Sequence, residues 1–265
     1  MHPILITIHE FSVLGHNIGP IFIHTYSVML LAAFIAGIAL LYRESRRNGI
    51  STATIYDLPV YIIILSIIGS RAGYIITNWD FYRGDAISML KTYEGGLSFH
   101  GGVIGGAIAV IYFCWRRKIP VLRMSDTLMP SLSLGLAIGR IGCFLNGCCY
   151  GRSTNDAWGI VFPVLHDGIH RHPTQLYDSA FNFAITLLLL FPLKRFNHKD
   201  GDLFAFWLIL SGVTRFIMEQ YRRGETAAVF WLGITMGQWV CILMVLCGII
   251  LYFAKLKGER SLSEA

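Results

Sequence analysis

The segment LPVYIIILSIIGSRAGYIITN, residues 58–78, decides the fold, because Arg71 is its only charged residue. A helix that crosses the hydrocarbon core of a bilayer needs about 20 consecutive, mainly apolar residues. Residues 58–78 meet this requirement, and they lack the strict apolar–polar alternation of a half-buried strand. Equivalent stretches recur along the chain, so we predict seven transmembrane helices at residues 22–41, 58–78, 96–115, 127–145, 176–193, 203–221 and 236–254.

The composition of the whole chain also favours a membrane protein. Of its 265 residues, 54% are hydrophobic and 14% are charged, and the mean hydropathy is +0.56, whereas about a quarter of a soluble domain is charged. One helical bundle uses nearly all residues, so we expect an all-α, polytopic helical membrane protein with small extracytoplasmic loops and a single domain, residues 1–265. The net charge of +6 is better explained by loop charges and anionic lipid than by nucleic acid.

Basic residues are distributed unevenly between two alternating sets of loops. The set that includes Arg43, Arg117 and Lys199 carries 13 lysines and arginines, whereas the set that includes Arg171 carries six. The positive-inside rule places the richer set in the cytoplasm. We therefore expect the N-terminus outside, the C-terminus in the cytoplasm and the longer loops, 79–95 and 146–175, outside.

The sequence also predicts a short strand and close contacts between helices. Residues 158–163, WGIVFP, indicate a short strand within the longer outer loop. Small residues four positions apart let membrane helices pack closely, and they occur here as the pairs Gly101/Gly105, Gly102/Gly106 and Gly135/Gly139.

Several ionisable residues share one predicted depth in the membrane. Arg71, Arg140 and Arg215 lie five to seven residues before the outer ends of their helices, and His100 lies four residues into its own. At a rise of about 1.5 Å per residue, these positions are roughly 6–11 Å below the outer helix ends, and Tyr26 falls in the same layer. Single arginines can reach the headgroups with their long stems. Three arginines at one depth indicate a functional site, since intramembrane charge is costly.

The sixth predicted helix adds a charged face of its own. Arg215, Glu219 and Arg222 are spaced i, i+4, i+7, which places them on one side of a helix. Glu219 can neutralise and orient one arginine and leave the other for an anion, although a purely structural ion pair has the same spacing.

His100 lies in the glycine-rich run GGLSFHGGVIGG, residues 95–106. Glycine permits close approach of the backbone to a neighbour or a lipid, so the start of this helix can be partly unwound and line a cavity. A lone histidine in an apolar segment is often a core residue. The glycine setting and the outer depth favour a functional role for His100 instead.

The cysteines give little evidence for a metal site. Cys143, Cys148 and Cys149 cluster in the sequence, but their spacing is not C-x-x-C and no paired histidine motif accompanies them. We therefore expect no metal there. The separation of Cys143 and Cys148 permits a disulfide without requiring one.

Several of these segments together resemble the family of prolipoprotein diacylglyceryl transferases. The resemblance rests on Tyr26, LSFHGG at 97–102, GRIGCFLNGCCYG at 139–151, HPTQLY at 172–177, RFIME at 215–219 and Arg222. These blocks occur in the order of the family and extend from the first predicted helix to the sixth.

The resemblance implies a seven-span enzyme of the bacterial inner or plasma membrane that needs no cofactor. Its activity is to transfer the diacylglyceryl group from phosphatidylglycerol to the lipobox cysteine thiol of a prelipoprotein signal peptide, releasing glycerol phosphate. Catalytic roles are implied for His100, Arg140 and Arg215. Substrate binding is assigned to Tyr26, Arg71, Arg140, Asn146, Gly151, Arg215, Glu219 and Arg222. Arg71 joins this set by its depth, since it is not among the matched motifs.

The sequence departs from the family pattern at two positions. The family usually has Asn where this chain has Cys143, and an acidic residue where it has Cys148. An amide or carboxylate role at these positions is therefore in doubt, whereas Arg140, Asn146 and Gly151 match.

The implied chemistry agrees with the residue types. A thiol with a pKa of about 8.5 must lose its proton to act as a nucleophile, and histidine is a suitable base. A substrate thiol whose pKa is lowered by arginine would need no such base. Arginines at the phosphate would stabilise the charge that develops on the departing monoester.

Two other classes of protein are alternatives to a transferase. A transporter of an anionic solute or lipid would also place arginines within the membrane, but it predicts internal repeats and polar residues through the midplane. Neither is visible in the sequence. A purely structural membrane scaffold leaves the shared depth of the charged residues unexplained.

Overall fold

The computed structural model describes residues 4–8, 11–13, 16–18, 20–84, 87–92, 95–195, 199–222, 229–231 and 233–263. Most of these residues are helical. The helices are α1 Thr25–Arg47, α2 Thr52–Ile55, α3 Asp57–Thr77, α4 Trp79–Tyr82, α5 Phe99–Arg117, α6 Val121–Asn146, α7 Thr174–Leu190, α8 Pro192–Arg195, α9 Asp202–Glu219 and α10 Met236–Ser263.

Five of these helices are long and apolar enough to cross a membrane: α1, α3, α5, α6 and residues Met236–Ala254 of α10. Large apolar side chains such as Ile64, Ile108 and Ile250 are exposed on them, as expected for surfaces that face lipid. The polytopic helical fold is therefore confirmed. The other two predicted spans correspond to α7, with 17 residues, and α9, with 18 residues. A total of seven spans stays a prediction.

The strands are short and form four antiparallel pairs among the described residues. The pairs are β1 Ile4–Ile8 with β4 Ile21–His24, β2 Phe11–Val13 with β3 His16–Ile18, β5 Ile160–Val161 with β6 His170–Arg171, and β7 Val229–Trp231 with β8 Ile234–Thr235. Strand β5 confirms the strand predicted within 158–163.

The chain divides into two compact units, of which the first comprises Met1–Leu40 and Leu128–Ala265. Within it, α9 packs against both α7 and α10. Its apolar core contains Met129, Ile185, Leu189 and Leu203. The predicted packing glycine Gly139 lies elsewhere in this unit, and a Cβ atom there would meet nothing within 4 Å. The close contact predicted for Gly139 is therefore wrong.

The second unit, Leu41–Thr127, is built on the packing of α3 against α5. A Cβ atom on Gly101 would lie 2.2 Å from the carbonyl oxygen of Gly69, and one on Gly105 would lie 2.1 Å from that of Leu65. No side chain fits at such distances, so the two backbones are in direct contact. The close packing predicted for the pair Gly101/Gly105 is confirmed.

Candidate functional site

The first unit carries a tight loop at the end of α6. Gly147 has φ +73°, which favours glycine and ends the helix after Asn146. The backbone N–H of Cys148 then donates to the carbonyl oxygen of Cys143 at 3.1 Å, and the Asn146 side chain hydrogen-bonds the Cys148 thiol. Cys149 also has a positive φ, +62°, which is uncommon for a residue with a Cβ atom.

Two of the sequence motifs fold directly onto one another in this unit. Gln175 Nε2 donates to the carbonyl oxygen of Cys148 at 2.6 Å, and Thr174 Oγ1 donates to that of Cys149 at 3.0 Å. The N–H of Gly151 donates to the carbonyl oxygen of His172 at 2.9 Å. Gln175 and Thr174 are buried, so the HPTQ segment holds the GCCYG segment in place.

Gly151 lies where the loop crosses the end of α9. It forms a β-bridge with Arg222, and the neighbouring N–H of Arg152 donates to the carbonyl oxygen of Tyr221 at 2.9 Å. A Cβ atom on Gly151 would lie 2.4 Å from that same oxygen. This close approach of two backbones explains why the position requires glycine.

Arg140 has a carboxylate partner that the sequence reading missed. Its Nε lies 3.2 Å from Oδ2 of Asp178, which is 8% exposed. The next residue on α7, Ser179, donates from Oγ to the carbonyl oxygen of Ala137 at 2.8 Å, and this bond holds Asp178 beside α6. An acidic residue within a predicted span was the signal available in the sequence.

Arg215 and Glu219 form the ion pair that their spacing predicted. Nη2 of Arg215 lies 2.8 Å from Oε2 of Glu219, whose side chain is 1% exposed. The start of α10 packs on this carboxylate, since a Cβ atom on Gly237 would lie 3.0 Å from Oε1. The second amino group, Nη1 of Arg215, is buried and has no hydrogen-bond partner among the described residues. A buried donor without an acceptor is costly, so this atom is available for a ligand.

Arg222 completes a cluster of three arginines. Burial lowers the pKa of its guanidinium, and the positive charges of Arg215 and Arg140 lower it further. Arg222 is therefore close enough to Arg215 and Arg140 for their positive charges to repel its own. Within the described part of the chain, no carboxylate oxygen forms an ion pair with Arg222, whereas Asp178 and Glu219 compensate the other two.

Tyr26 and the three neighbouring cysteines adjoin this cluster. The Tyr26 hydroxyl interacts electrostatically with Arg140 and with the three thiols, and its ring packs against Gly142, where a Cβ atom would lie 3.4 Å from Cδ2. The Sγ atoms of Cys143, Cys148 and Cys149 all lie within 4.8 Å of one another. None of the three forms a disulfide.

The remaining predicted residues, Arg71 and His100, belong to the second unit. Arg71 is 7% exposed, and its guanidinium donates to four backbone carbonyl oxygens at 2.6–3.1 Å. These belong to Ser88, Met89, Gly95 and Gly96. The guanidinium carbon also lies 5.3 Å from the ring centre of Tyr82. These contacts favour an anchor for the loop before α5, and not the substrate contact predicted from the depth of Arg71.

His100 is the second residue of α5 and is exposed. The helix starts at Phe99, where Ser98 caps it by accepting a hydrogen bond from the N–H of Gly101 at 3.4 Å. Residues 95–98 are not helical, and Gly95 and Gly96 have φ +92° and +79°. The predicted non-helical approach to His100 is therefore present. The shared depth of His100 with the arginines stays a prediction.

Seven of the nine predicted residues thus lie in the first unit, around one loop and the end of α9. The match to a family model covers residues 14–254, and that model describes prolipoprotein diacylglyceryl transferases. The chain belongs to the prolipoprotein diacylglyceryl transferase family.

Relatives named phosphatidylglycerol–prolipoprotein diacylglyceryl transferase match nearly the whole chain. The protein of Wolbachia pipientis subsp. Culex pipiens is 37% identical over 91% of this chain and 93% of its own length. That of Bordetella parapertussis is 34% identical over 89% and 92%, and that of Finegoldia magna is 34% identical over 85% and 88%. Members of this transferase family are enzymes of bacterial membranes, so the transporter alternative is not favoured.

Proposed function

We propose that this chain transfers the diacylglyceryl group of phosphatidylglycerol to the lipobox cysteine thiol of a prelipoprotein. The thiol sulfur forms a thioether bond with the carbon of the diacylglyceryl group that carries the phosphate ester. The bond from that carbon to oxygen breaks, and glycerol phosphate leaves with the electron pair. The observation that carries the proposal is the arginine cluster in which Nη1 of Arg215 is buried and has no hydrogen-bond partner within the described residues.

The charges of the cluster suit a phosphodiester. Arg140 and Arg215 each have one carboxylate partner, and Arg222 adds a further positive charge. A phosphodiester brings one negative charge, and a second develops as the glycerol phosphate departs. Arginine donors that are already in place stabilise that developing charge without having to reorganise. We assign Arg140, Arg215 and Arg222 to the phosphate.

The other residues of the first unit build and border this site. Glu219 orients Arg215 through the buried ion pair, and Asn146 and Gly151 shape the loop that adjoins Arg222. Tyr26 is partly exposed next to the same loop, so it is available to contact the lipid. Arg71 is left out of the phosphate-binding set, because its donors are committed to backbone carbonyls.

The substrate thiol must lose its proton, and we assign this step to His100. Its exposed position at the start of α5 leaves the ring accessible. Loss of a general base typically costs about 10²–10⁴-fold in rate. A His100→Gln variant should therefore be impaired near neutral pH and should recover as the pH approaches the thiol's own pKa of about 8.5.

The activity ratio of wild type to His100→Gln, measured between about pH 6.5 and 9, tests this assignment. A ratio that falls across the window supports proton abstraction by His100. A ratio that stays flat rejects the base role and leaves the arginine assignments untouched.

We further propose that residues 1–265 are a single catalytic domain, with the N-terminus outside and the C-terminus in the cytoplasm. The uneven loop charges support this orientation. With the native cysteines replaced by serine, single cysteines introduced at Lys199 and at Asn155 of the 146–175 loop, both exposed, can be labelled in intact cells with a reagent that does not cross the membrane. Position 155 should react and position 199 should not, and the opposite result would reverse the orientation.

The activity itself is tested with the purified protein in phosphatidylglycerol-containing nanodiscs and a lipobox peptide. Mass spectrometry should find the peptide heavier by one diacylglyceryl group, and glycerol phosphate should appear in equal amount. A peptide with Ser in place of the lipobox cysteine and nanodiscs of phosphatidylcholine alone serve as controls. Absence of thioether product from protein shown to be folded would refute the proposed function.

A further inference from the structure

Three thiols meet at the end of α6 although their spacing in sequence matches no metal motif. Cys143 lies in the last turn of the helix, and Cys148 and Cys149 follow the reversal at Gly147. The chain turns back because Cys148 N–H bonds the Cys143 carbonyl. Cys149 follows with a left-handed backbone, φ +62°. As a result the three Sγ atoms all lie within 4.8 Å of one another.

The backbone that carries two of these thiols is held from outside the cluster. Gln175 and Thr174, both 0–1% exposed, donate to the carbonyl oxygens of Cys148 and Cys149. These bonds come from the start of α7 and fix the loop whether or not anything binds to it. The thiols are therefore grouped by the fold, which reduces the conformational entropy that the cysteines would lose when an ion binds them.

The electrostatic surroundings suit thiolates. A hydrogen bond from the Cys143 thiol lowers the pKa of Cys149 to about 5, and the positive charges of Arg140 and Arg222 act in the same direction. Burial raises the pKa of Cys148. A cation that binds here must displace the thiol protons, and the positive charges of the two arginines favour the thiolate form.

We propose that Cys143, Cys148 and Cys149 bind one thiophilic d¹⁰ cation, Zn²⁺ or Cu⁺, through three thiolate bonds. A Zn–S bond of about 2.3 Å puts sulfur atoms about 4 Å apart, so the present arrangement needs to contract by less than about 1 Å. Soft sulfur ligands select these ions over Mg²⁺ or Ca²⁺. Three thiolates on Zn²⁺ leave one net negative charge, which the nearby arginines offset.

The geometry leaves a fourth position open. Cys149 is exposed, whereas Cys143 and Cys148 are partly buried. Zn²⁺ would complete a tetrahedron with water at the exposed side, and Cu⁺ would be satisfied by the three sulfurs alone. Binding would tie the last turn of α6 to the loop that leads to Gly151. The site does not depend on the proposed catalytic function, because no step of that reaction uses these thiols.

The first test is titration of the purified, reduced, full-length protein with Zn²⁺ in competition with a chromophoric chelator. We expect one Zn²⁺ per chain and release of protons on binding at pH 7, because thiolate ligands must be deprotonated. Co²⁺ used as a probe should give the intense near-ultraviolet band of sulfur–cobalt charge transfer. Cu⁺, added with a Cu⁺-selective chelator, distinguishes the two candidate ions by its relative affinity.

Variants then locate the site. Cys148→Ser and Cys149→Ser should each weaken Zn²⁺ binding at least about 10-fold, whereas Cys247→Ser, which removes an exposed thiol on α10, should leave it unchanged. Since the titration of wild type does not depend on any variant folding, the proposal stays testable if a variant misfolds. Absence of the cobalt band in reduced wild type, binding that survives both substitutions, or a disulfide between any two of the three cysteines in freshly isolated protein would each overturn it.

Discussion

Arg71 and Arg215 both lie in largely apolar helices, one in each unit of the molecule, and their guanidinium groups have opposite surroundings. Arg71 donates to four backbone carbonyl oxygens and stacks on Tyr82. Arg215 forms an ion pair with the carboxylate of Glu219 and has an amino group with no partner among the described residues. It also lies near the positive charge of Arg222, which repels it. An arginine whose donors are used by the backbone stabilises a loop, whereas one with unused buried donors can bind an anion.

The same contrast extends to glycine. In the second unit, Gly101 and Gly105 bring two helices into backbone contact, so the glycines stabilise a helix pair. In the first unit, Gly151 lets a loop cross the end of α9 next to Arg222. Helix contacts of this kind also occur in the first unit, where Gly212 and Gly248 let α9 and α10 approach closely, so the role of Gly151 in the wall of a charged site is a property of that position and not of the whole unit.

Removal of Arg215 should have the largest effect on activity. An Arg215→Ala variant should lose at least about 10²-fold in kcat/KM, the range seen when a transition-state donor is removed. Arg215→Lys should recover only part of this loss, since lysine keeps the charge without the planar fork. The measurement is thioether formation on a lipobox peptide by folded, purified protein.

Arg117→Ala is the matched control, because Arg117 is half-exposed at the end of α5 and pairs with Asp57. Its activity should stay within about 2-fold of wild type, as expected for a surface ion pair. Near-normal turnover of Arg215→Ala would show that the unpartnered donor has no role at the phosphate.

Replacing Arg71 should affect stability more than chemistry. Arg71→Lys loses most of the carbonyl contacts, and hydrogen bonds to a charged donor are worth about 1.5–3 kcal/mol each in favourable cases. We expect a loss of roughly 2 kcal/mol in the free energy of unfolding, with kcat of the folded fraction reduced less than about 10-fold. Unfolding in mixed detergent measures the free energy, hydrogen exchange of residues 87–92 reports opening of the loop, and thioether formation by the folded fraction gives kcat. A selective loss of kcat at unchanged stability would move Arg71 back into the substrate site.

Gly101 lies in a tight helix contact and Gly139 faces open space, so alanine at these two positions should change the free energy of unfolding in opposite directions. Gly101→Ala places a Cβ atom 2.2 Å from a carbonyl oxygen of α3, and overpacking of this kind costs about 1–3 kcal/mol. Gly139→Ala meets nothing within 4 Å and should stabilise α6 by up to about 1 kcal/mol, since alanine loses less entropy in a helix. Unfolding of both variants under one condition provides the comparison. Equal destabilisation by both would contradict the contact geometry.

The smallest expected effect concerns the thiols. The pKa of Cys149 is lowered to about 5, so its thiolate is populated above that pH and is lost as the pH falls through it. Alkylation of Cys149 by iodoacetamide should therefore hardly change between about pH 8 and 6, whereas an ordinary thiol of pKa about 8.5 slows steadily across this range. Cys114, buried in α5, should not react in the folded protein. Peptide mapping after timed labelling separates the sites, and a rate for Cys149 that follows an ordinary thiol would exclude the lowered pKa.

The class of fold, the approximate helices and most residues of the candidate site follow from the sequence without a structure. Long apolar runs require helices in a bilayer because backbone groups must be satisfied internally, and this rule needs no knowledge of tertiary contacts. The spacing of Arg215 and Glu219 was also sufficient, since residues four apart on a helix are neighbours. The motifs around Arg140 and His172 are also short stretches of sequence, so they indicated the family without knowledge of tertiary contacts.

The partner of each polar group depends on how distant segments pack. Asp178 is 38 residues from Arg140, and Gln175 is 27 residues from the carbonyl that it binds, so no local pattern predicts either contact. The sequence assigned Arg71 to the substrate by depth, but depth does not show whether a loop folds back to use the donors. The meeting of three thiols likewise depends on a chain reversal at Gly147 and on hydrogen bonds from α7. Such contacts are fixed only when separate segments pack together.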